Sequence, residues 1–350
     1  VIAAPAQRGA TAVAAAAVRR VAPGRTLVVC GALTLAVLAL LVVAVGTGDY
    51  PIAPPDVVKA LVGQGDSATE FVVETLRLPR ALTALLAGAA LGAAGAIFQS
   101  VSRNPLGSPD IIGFTAGSSA AAVFEITVIG GGTVAVAAGS MAGGLLTALL
   151  VYGLAFRDGV QGHRLVLVGI GISAILMALV NYLLTRAKIE DVQAAAVWLT
   201  GSLNGRGWEH VWPTLAALAA LLPACALLQR DLKMVEMGDD TAKALGVSVE
   251  RSRLSNIVVG VLLTATATAA CGPVAFVALS APQIARRLTA ATGPGVMTAA
   301  LMGAALMLAS DVVAQRLFPS TPLPVGVLTG ALGGLYLIWL LAVQARKGRA

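Results

Sequence analysis

The sequence is short of charge, of aromatic rings and of metal-binding side chains. Only 12% of its 350 residues are Asp, Glu, Lys or Arg, about half of what a soluble globular domain carries. With 57% hydrophobic residues and a mean hydropathy of +0.87, such a chain would expose far too much apolar surface in water. That excludes the soluble class and makes lipid its solvent. The two histidines, His163 and His210, and the three cysteines, Cys30, Cys225 and Cys271, show no CxxC or zinc-finger spacing. That spacing argues against a disulfide framework and a zinc site, and the cysteines read as small buried apolar residues. No G-x-x-x-x-G-K-[ST] loop occurs, so any ATP the protein uses is hydrolysed on another chain. Neither H-E-x-x-H nor G-x-S-x-G occurs, which removes the familiar membrane hydrolases.

Small residues and long apolar runs are plentiful. The 39 glycines and abundant alanines suit transmembrane helices that approach closely. Runs near the roughly 20 residues needed to span a bilayer fall at about 26–46, 80–100, 111–129, 133–156, 164–185, 209–229, 254–271, 273–289, 296–316 and 325–343. The fold class expected is therefore an all-α polytopic membrane protein of about ten helices. The eighth run begins at Gly272-Pro273 and contains Pro282, which predicts a short or kinked helix. Ten spans place both ends of the chain on one side. All but seven of the 24 lysines and arginines then share that side, the exceptions being Lys59, Arg77, Arg80, Arg186, Lys188, Arg206 and Arg316. The positive-inside rule makes it the cytoplasmic side and also accounts for the net charge of +7 without nucleic acid. The organisation expected is a cytoplasmic basic tail at 1–25, a ten-helix domain at 26–345 and a cytoplasmic tail at 346–350. The first 25 residues resemble the basic region of a signal peptide, but no clear cleavage site follows, so the first run reads as a retained helix.

Within the cytoplasmic segment 230–253, residues 238–246 read as a short helix. Asp239 can cap its start and Asp240 suits its positive end, while Gly246 can close it in the left-handed region. Two turns of helix are marginal alone in water, so this helix docks on the parent bundle or on a partner. Ala242 and Leu245 lie three apart, on one face. At the outer mouth of the second run, Arg77 and Arg80 either grip the carboxylates of a partner or anchor the helix end. The prolines and glycine of 102–110 make a compact turn. Glu125 and Asp311 sit near outer ends of apolar runs and are expected to snorkel to the interface. Gln99, Asn181 and Asn256 read as interhelical glue.

A set of phrases in fixed order over about residues 45–345 carries a family resemblance. They are Arg77-Leu-Pro-Arg80, the Gly/Ala run 88–95, Arg103-Asn-Pro-Leu106, Gly272-Pro273, Pro282-Gln-Ile-Ala-Arg286 and Leu323-Pro-Val-Gly326. This set resembles the iron–siderophore and cobalamin permease family of type II ABC importers. The phrases at 95–100, 104–110, 236–242, 244–253 and 333–338 are most similar to its ferric-enterobactin group. The resemblance implies a ten-helix permease paired with a second permease subunit, expected to be a sister chain. Two ATPase subunits would hold ATP and Mg, and an extracytoplasmic siderophore-binding protein would deliver a ferric siderophore. It implies no catalytic residue, cofactor or metal on this chain. It places ATPase coupling at 238–252, with Asp239, Asp240, Ala242, Leu245, Gly246 and Val247. It gives Arg77 and Arg80 to the docking of the binding protein. Arg316 joins them as a candidate, because Gln315 stands where the family has a third arginine. It also implies a short outer helix flanking the gate around Trp198, Gly201, Ser202 and Leu203. A cobalamin or haem permease of the same family, and a secondary transporter, are the alternatives.

Overall fold

The computed structural model describes residues 23–48, 50–156, 162–291, 293–317 and 323–347. The basic stretch with Arg8, Arg19 and Arg20, together with Arg157 and Arg349, lies outside the described residues. Among those described, every regular element is helical. In order they are α1 (Pro23–Gly46), α2 (Pro54–Leu61), α3 (Ser67–Glu70), α4 (Leu78–Ser102), α5 (Pro109–Ile112), α6 (Phe114–Phe124), α7 (Thr133–Ala155) and α8 (Gly162–Arg186). They continue with α9 (Ile189–Leu199), α10 (Trp208–Glu236), α11 (Asp239–Ala244), α12 (Val249–Cys271), α13 (Val277–Thr289), α14 (Val296–Leu317) and α15 (Val325–Lys347). Two π-helical stretches, Phe71–Arg77 and Glu125–Ile129, join α3 to α4 and extend α6.

Among the described residues, seven helices are long and apolar enough to cross a membrane, and two shorter apolar ones, Phe114–Ile129 and Val325–Trp339, accompany them. The 13-residue α13 fills the place of the eighth expected span. It starts at Val277 rather than 273, because Gly272 (φ 76°) and Pro273 leave the helical path and Phe276 (φ 67°) re-enters it from the left-handed region. The second span also differs. Its helix begins at Ser67, well outside the apolar run, and is continuous to Ser102. Pro79 cannot donate to the preceding turn, and the backbone widens into a π stretch just before it.

Burial separates an inner layer from an outer one. Within their most apolar stretches, the Ser67–Ser102 helix is 89% buried, α12 72% and α14 61%, whereas α1, α7, α8 and α10 reach only 22–33%. The outer helices expose Leu27, Leu35, Val134, Ile175 and Leu227, each at 70% or more. In water these would form a large apolar patch; facing lipid they cost nothing. The inner helices meet through small residues. A Cβ on Gly88 or Gly92 would overlap the backbone of α14 at Gly303 and Ala299, and one on Gly95 would overlap Ala278 of α13. The Gly/Ala run is thus the contact face of a backbone-to-backbone packing that only glycine permits. Gln99 on α4 donates to the Leu279 carbonyl at 3.0 Å and accepts from Gln283 at 2.6 Å, which makes it interhelical glue. Asn256 instead bonds Ser252 within α12, and Asn181 is exposed.

Candidate functional site

The end of the bundle that carries α11 is organised by arginines. α4 ends at Arg103, whose left-handed conformation (φ 50°) turns the chain out of the helix. Its guanidinium donates to the Val235 carbonyl at 2.8 Å, alongside the Gly238 N–H that the same carbonyl accepts at the end of α10. The same Nη2 meets Asp239 Oδ1. Asp239 also receives Arg253 Nη2 from α12, at 3.1 and 3.2 Å. Beside them Arg286 of α13 bridges Ser100 Oγ on α4 and Glu236 Oε1 on α10, both at 3.1 Å. Four helices are therefore tied together at the root of α11. Asp239 does not cap α11 as the sequence suggests: Gly238 stands at the cap position, Asp239 is the first residue of the helix, and two guanidiniums hold its carboxylate. Burial works to raise its pKa, but Arg253 and Arg103 beside it hold the carboxyl below the ordinary range.

α11 is closed as the sequence suggests. Gly246 has φ 82° and its N–H reaches Lys243 O at 2.9 Å, while Val247 N–H reaches Ala242 O at 3.0 Å. This pair of bonds is a Schellman closure. Val247 packs against a small cluster of Val235, Ala242 and Val249. Ala242 is fully buried in it, whereas Leu245 is 56% exposed. The two do not share an outward face: Ala242 fastens α11 to its own bundle, and Leu245, with Asp240 and Lys243, faces out. Next to this root, Asp110 on α5 accepts from Thr115 Oγ1 at 2.7 Å, and burial pushes its carboxyl up to about 6.

At the opposite end, Arg80 turns inward. Its Nε and Nη2 hold both oxygens of Asp311 on α14, with distances of 2.7 to 3.3 Å. Asp311 is 1% exposed, so it does not snorkel: the arginine comes to it. Gln315 donates to Asp311 Oδ2 at 2.8 Å. Arg77 donates to Val45 O and Tyr50 O at 3.0 and 2.6 Å, pinning the end of α1. Arg316 is exposed.

The segment expected to flank a gate is divided. α9 ends at Leu199, with Trp198 buried in its last turn. Gly201, Ser202 and Leu203 lie beyond the helix and are buried. Ser202 N–H donates to Cys271 O at 2.8 Å, and Gly326 N–H donates to Gly201 O at 3.0 Å. A Cβ on Gly201, Gly272 or Gly326 would overlap a neighbouring backbone. Three chain segments thus converge without side chains where α12 unwinds before α13. Among the described residues no group of three or more His, Cys, Asp or Glu could hold a metal ion.

An α-helical bundle with lipid-facing outer helices, a short helix latched to one end and an unwound clamp toward the other is a polytopic membrane permease. The chain belongs to the FecCD transport family, whose sequence profile matches residues 35–343. It is 46% identical to the ferric enterobactin transport system permease protein FepG of Escherichia coli (strain K12), over 92% of this chain and 98% of that one. It is 38% identical to the achromobactin transport system permease protein CbrC of Dickeya dadantii (strain 3937), over 89% and 90%. A solved structure described as an inward-facing conformation of a metal-chelate type ABC transporter superposes with a TM-score of 0.78 at 30% identity, covering 89% of this chain and 98% of that one. The chain is an integral membrane transport subunit of an ABC importer. It is not an enzyme, and the ATPase is a separate chain.

Proposed function

We propose that the chain is one permease subunit of an ATP-driven importer carrying a ferric siderophore, of the enterobactin kind, across the cytoplasmic membrane. Support for the cargo comes from the relatives, whose names include ferric enterobactin, achromobactin and ferric citrate systems. The observation that carries the mechanism is the latch between Arg103, Asp239 and Arg253. It ties α11 to the inner helices α4 and α12, so a push on α11 moves them as one body. α12 runs unbroken from that latch to Cys271, where the clamp with Ser202 begins. A displacement of α11 is then delivered to the clamp, the arrangement that rocking of rigid bodies about a central path requires. In this reading α11 presents Leu245, Asp240 and Lys243 to an ATPase subunit that binds ATP and Mg. Ala242, Gly246 and Val247 hold the helix in place.

The α11 end is the cytoplasmic side, in keeping with the basic-residue asymmetry, and both termini lie on it. Docking of an extracytoplasmic binding protein falls to the opposite end. Arg316, exposed and without an ion pair among the described residues, can meet a carboxylate there, while Arg77 and Arg80 also brace their own helices. The clamp of Trp198, Gly201, Ser202 and Leu203 flanks the path. The second permease is a sister chain, since Gln315 leaves this chain's rim one arginine short of the family's set. The test is uptake of iron-labelled ferric enterobactin into proteoliposomes holding this chain with its sister permease, ATPase and binding protein. ATP-dependent uptake is the expected result. Uptake of haem or cobalamin instead would overturn the cargo, and transport without the ATPase would overturn the mechanism.

A further inference from the structure

A groove on the lipid side of the bundle plays no part in the transport reading. Its apolar part, about 410 Å³, runs between α1, α4, α10 and α14, walled by Val37, Leu86, Leu218, Leu222, Ala300 and Met297 among others. Its polar part, about 330 Å³, lies at the α11 end between Thr26, Gln229, Lys233, Gly293 and Thr298. Met297 lines both parts, so the two adjoin at its side chain. Along α10 the apolar part extends from Pro223 to Leu215, about 12 Å of helix rise, close to the roughly 15 Å hydrocarbon depth of one leaflet. Gln229 and Lys233 stand about two and three turns beyond it, where headgroups begin.

The chemistry of the two parts narrows the occupant. No carboxylate lines either part among the described residues, and Lys233 is exposed with no ion pair among them. A single ammonium with amide and hydroxyl neighbours suits a phosphodiester. The apolar part follows α10 as a slot walled by aliphatic side chains. An extended hydrocarbon chain fits such a slot. We propose that this groove binds an anionic phospholipid, with its phosphate against Lys233 and Gln229 and one acyl chain laid along α10 and α14 past Met297.

Native mass spectrometry of the detergent-purified full chain, in complex with its partner subunits, tests this with phosphatidylglycerol, phosphatidylethanolamine and inorganic phosphate as probes. Phosphatidylglycerol should bind most tightly, and Lys233→Gln should weaken it about five-fold, the loss of one interfacial cation. Ala219→Trp should abolish binding, because Ala219 is an exposed wall of the slot and the indole would fill it. Ala219→Leu serves in its place should the larger variant misfold. Phosphatidylglycerol binding unchanged by both substitutions overturns the proposal. So does equal competition by inorganic phosphate, which would make the polar part a free-anion site. Crosslinking of Ala219→Cys to a second permease chain would overturn it as well, by making the groove a subunit interface.

Discussion

Arg80 and Asp311 close an ion pair between α4 and α14 in which two guanidinium nitrogens meet two carboxylate oxygens at 2.7 to 3.3 Å. The partners are unequal: the Arg80 side chain keeps 18% of its surface exposed and Asp311 keeps 1%. Removing the arginine strands a buried carboxylate, while removing the carboxylate leaves an arginine with a route to the surface. Arg80→Ala should therefore cost about 3–5 kcal/mol and Asp311→Ala less. The double change to leucine should recover much of the loss. Thermal unfolding in detergent measures all three. An unchanged midpoint in Arg80→Ala would leave the residue with partner contacts alone.

Leu245→Asp and Ala242→Leu should fail in different ways, although both lie on α11. Leu245 is exposed, so its aspartate variant should fold, insert and assemble but lose cargo uptake and cargo-stimulated ATP hydrolysis. Ala242 has no room, and the larger side chain should destabilise the α11 end by about 1–3 kcal/mol. Hydrogen exchange of 235–250, compared with ATPase assays, separates the two. Normal uptake by Leu245→Asp would remove α11 from coupling.

Gly303→Ala should be far more damaging than a helix-favouring substitution normally is. The added methyl overlaps the Gly88 carbonyl, and backbone cannot step aside as a side chain can. The α4–α14 contact would have to open along its length, at about 1–3 kcal/mol or more. Gly330→Ala on α15, with open space around it, is the matched control and should be neutral. The yield of monodisperse protein on size exclusion reads both.

Asp110 makes stability fall as pH rises. Its folded-state pKa is raised by burial to about 6, from 3.8. The folded protein thus holds a proton that the unfolded chain releases. Its contribution is full below about 4 and is lost as pH climbs through about 6. Asp110→Asn should flatten that slope, so the variant gains on the parent between pH 5 and 8. Thermal midpoints across that range test it, and parallel curves for the two proteins would refute it.

The helix count was legible because each span must satisfy its own backbone within one apolar run, a local constraint that composition records. The closure of α11 was legible for the same reason, since Gly246 is needed where the backbone turns left-handed. The partners of Asp239 and Asp311 were not. Asp239 reads as a helix cap and Asp311 as a snorkelling acid until Arg103, Arg253 and Arg80, at separations of 136, 14 and 231 residues, arrive beside them.

By itself, then, the sequence determined the solvent, the number of spans and the places where helices stop, all set within a few turns of chain. Only the tertiary structure decided which face of α11 points outward, which arginines are spent on internal carboxylates, and which glycines bring α4 onto α14 and lock the clamp at Gly201, Gly272 and Gly326. Those outcomes depend on pairings between distant segments, where a charge finds its partner or a missing Cβ makes room for another backbone. Neither leaves a period or a run in the local sequence.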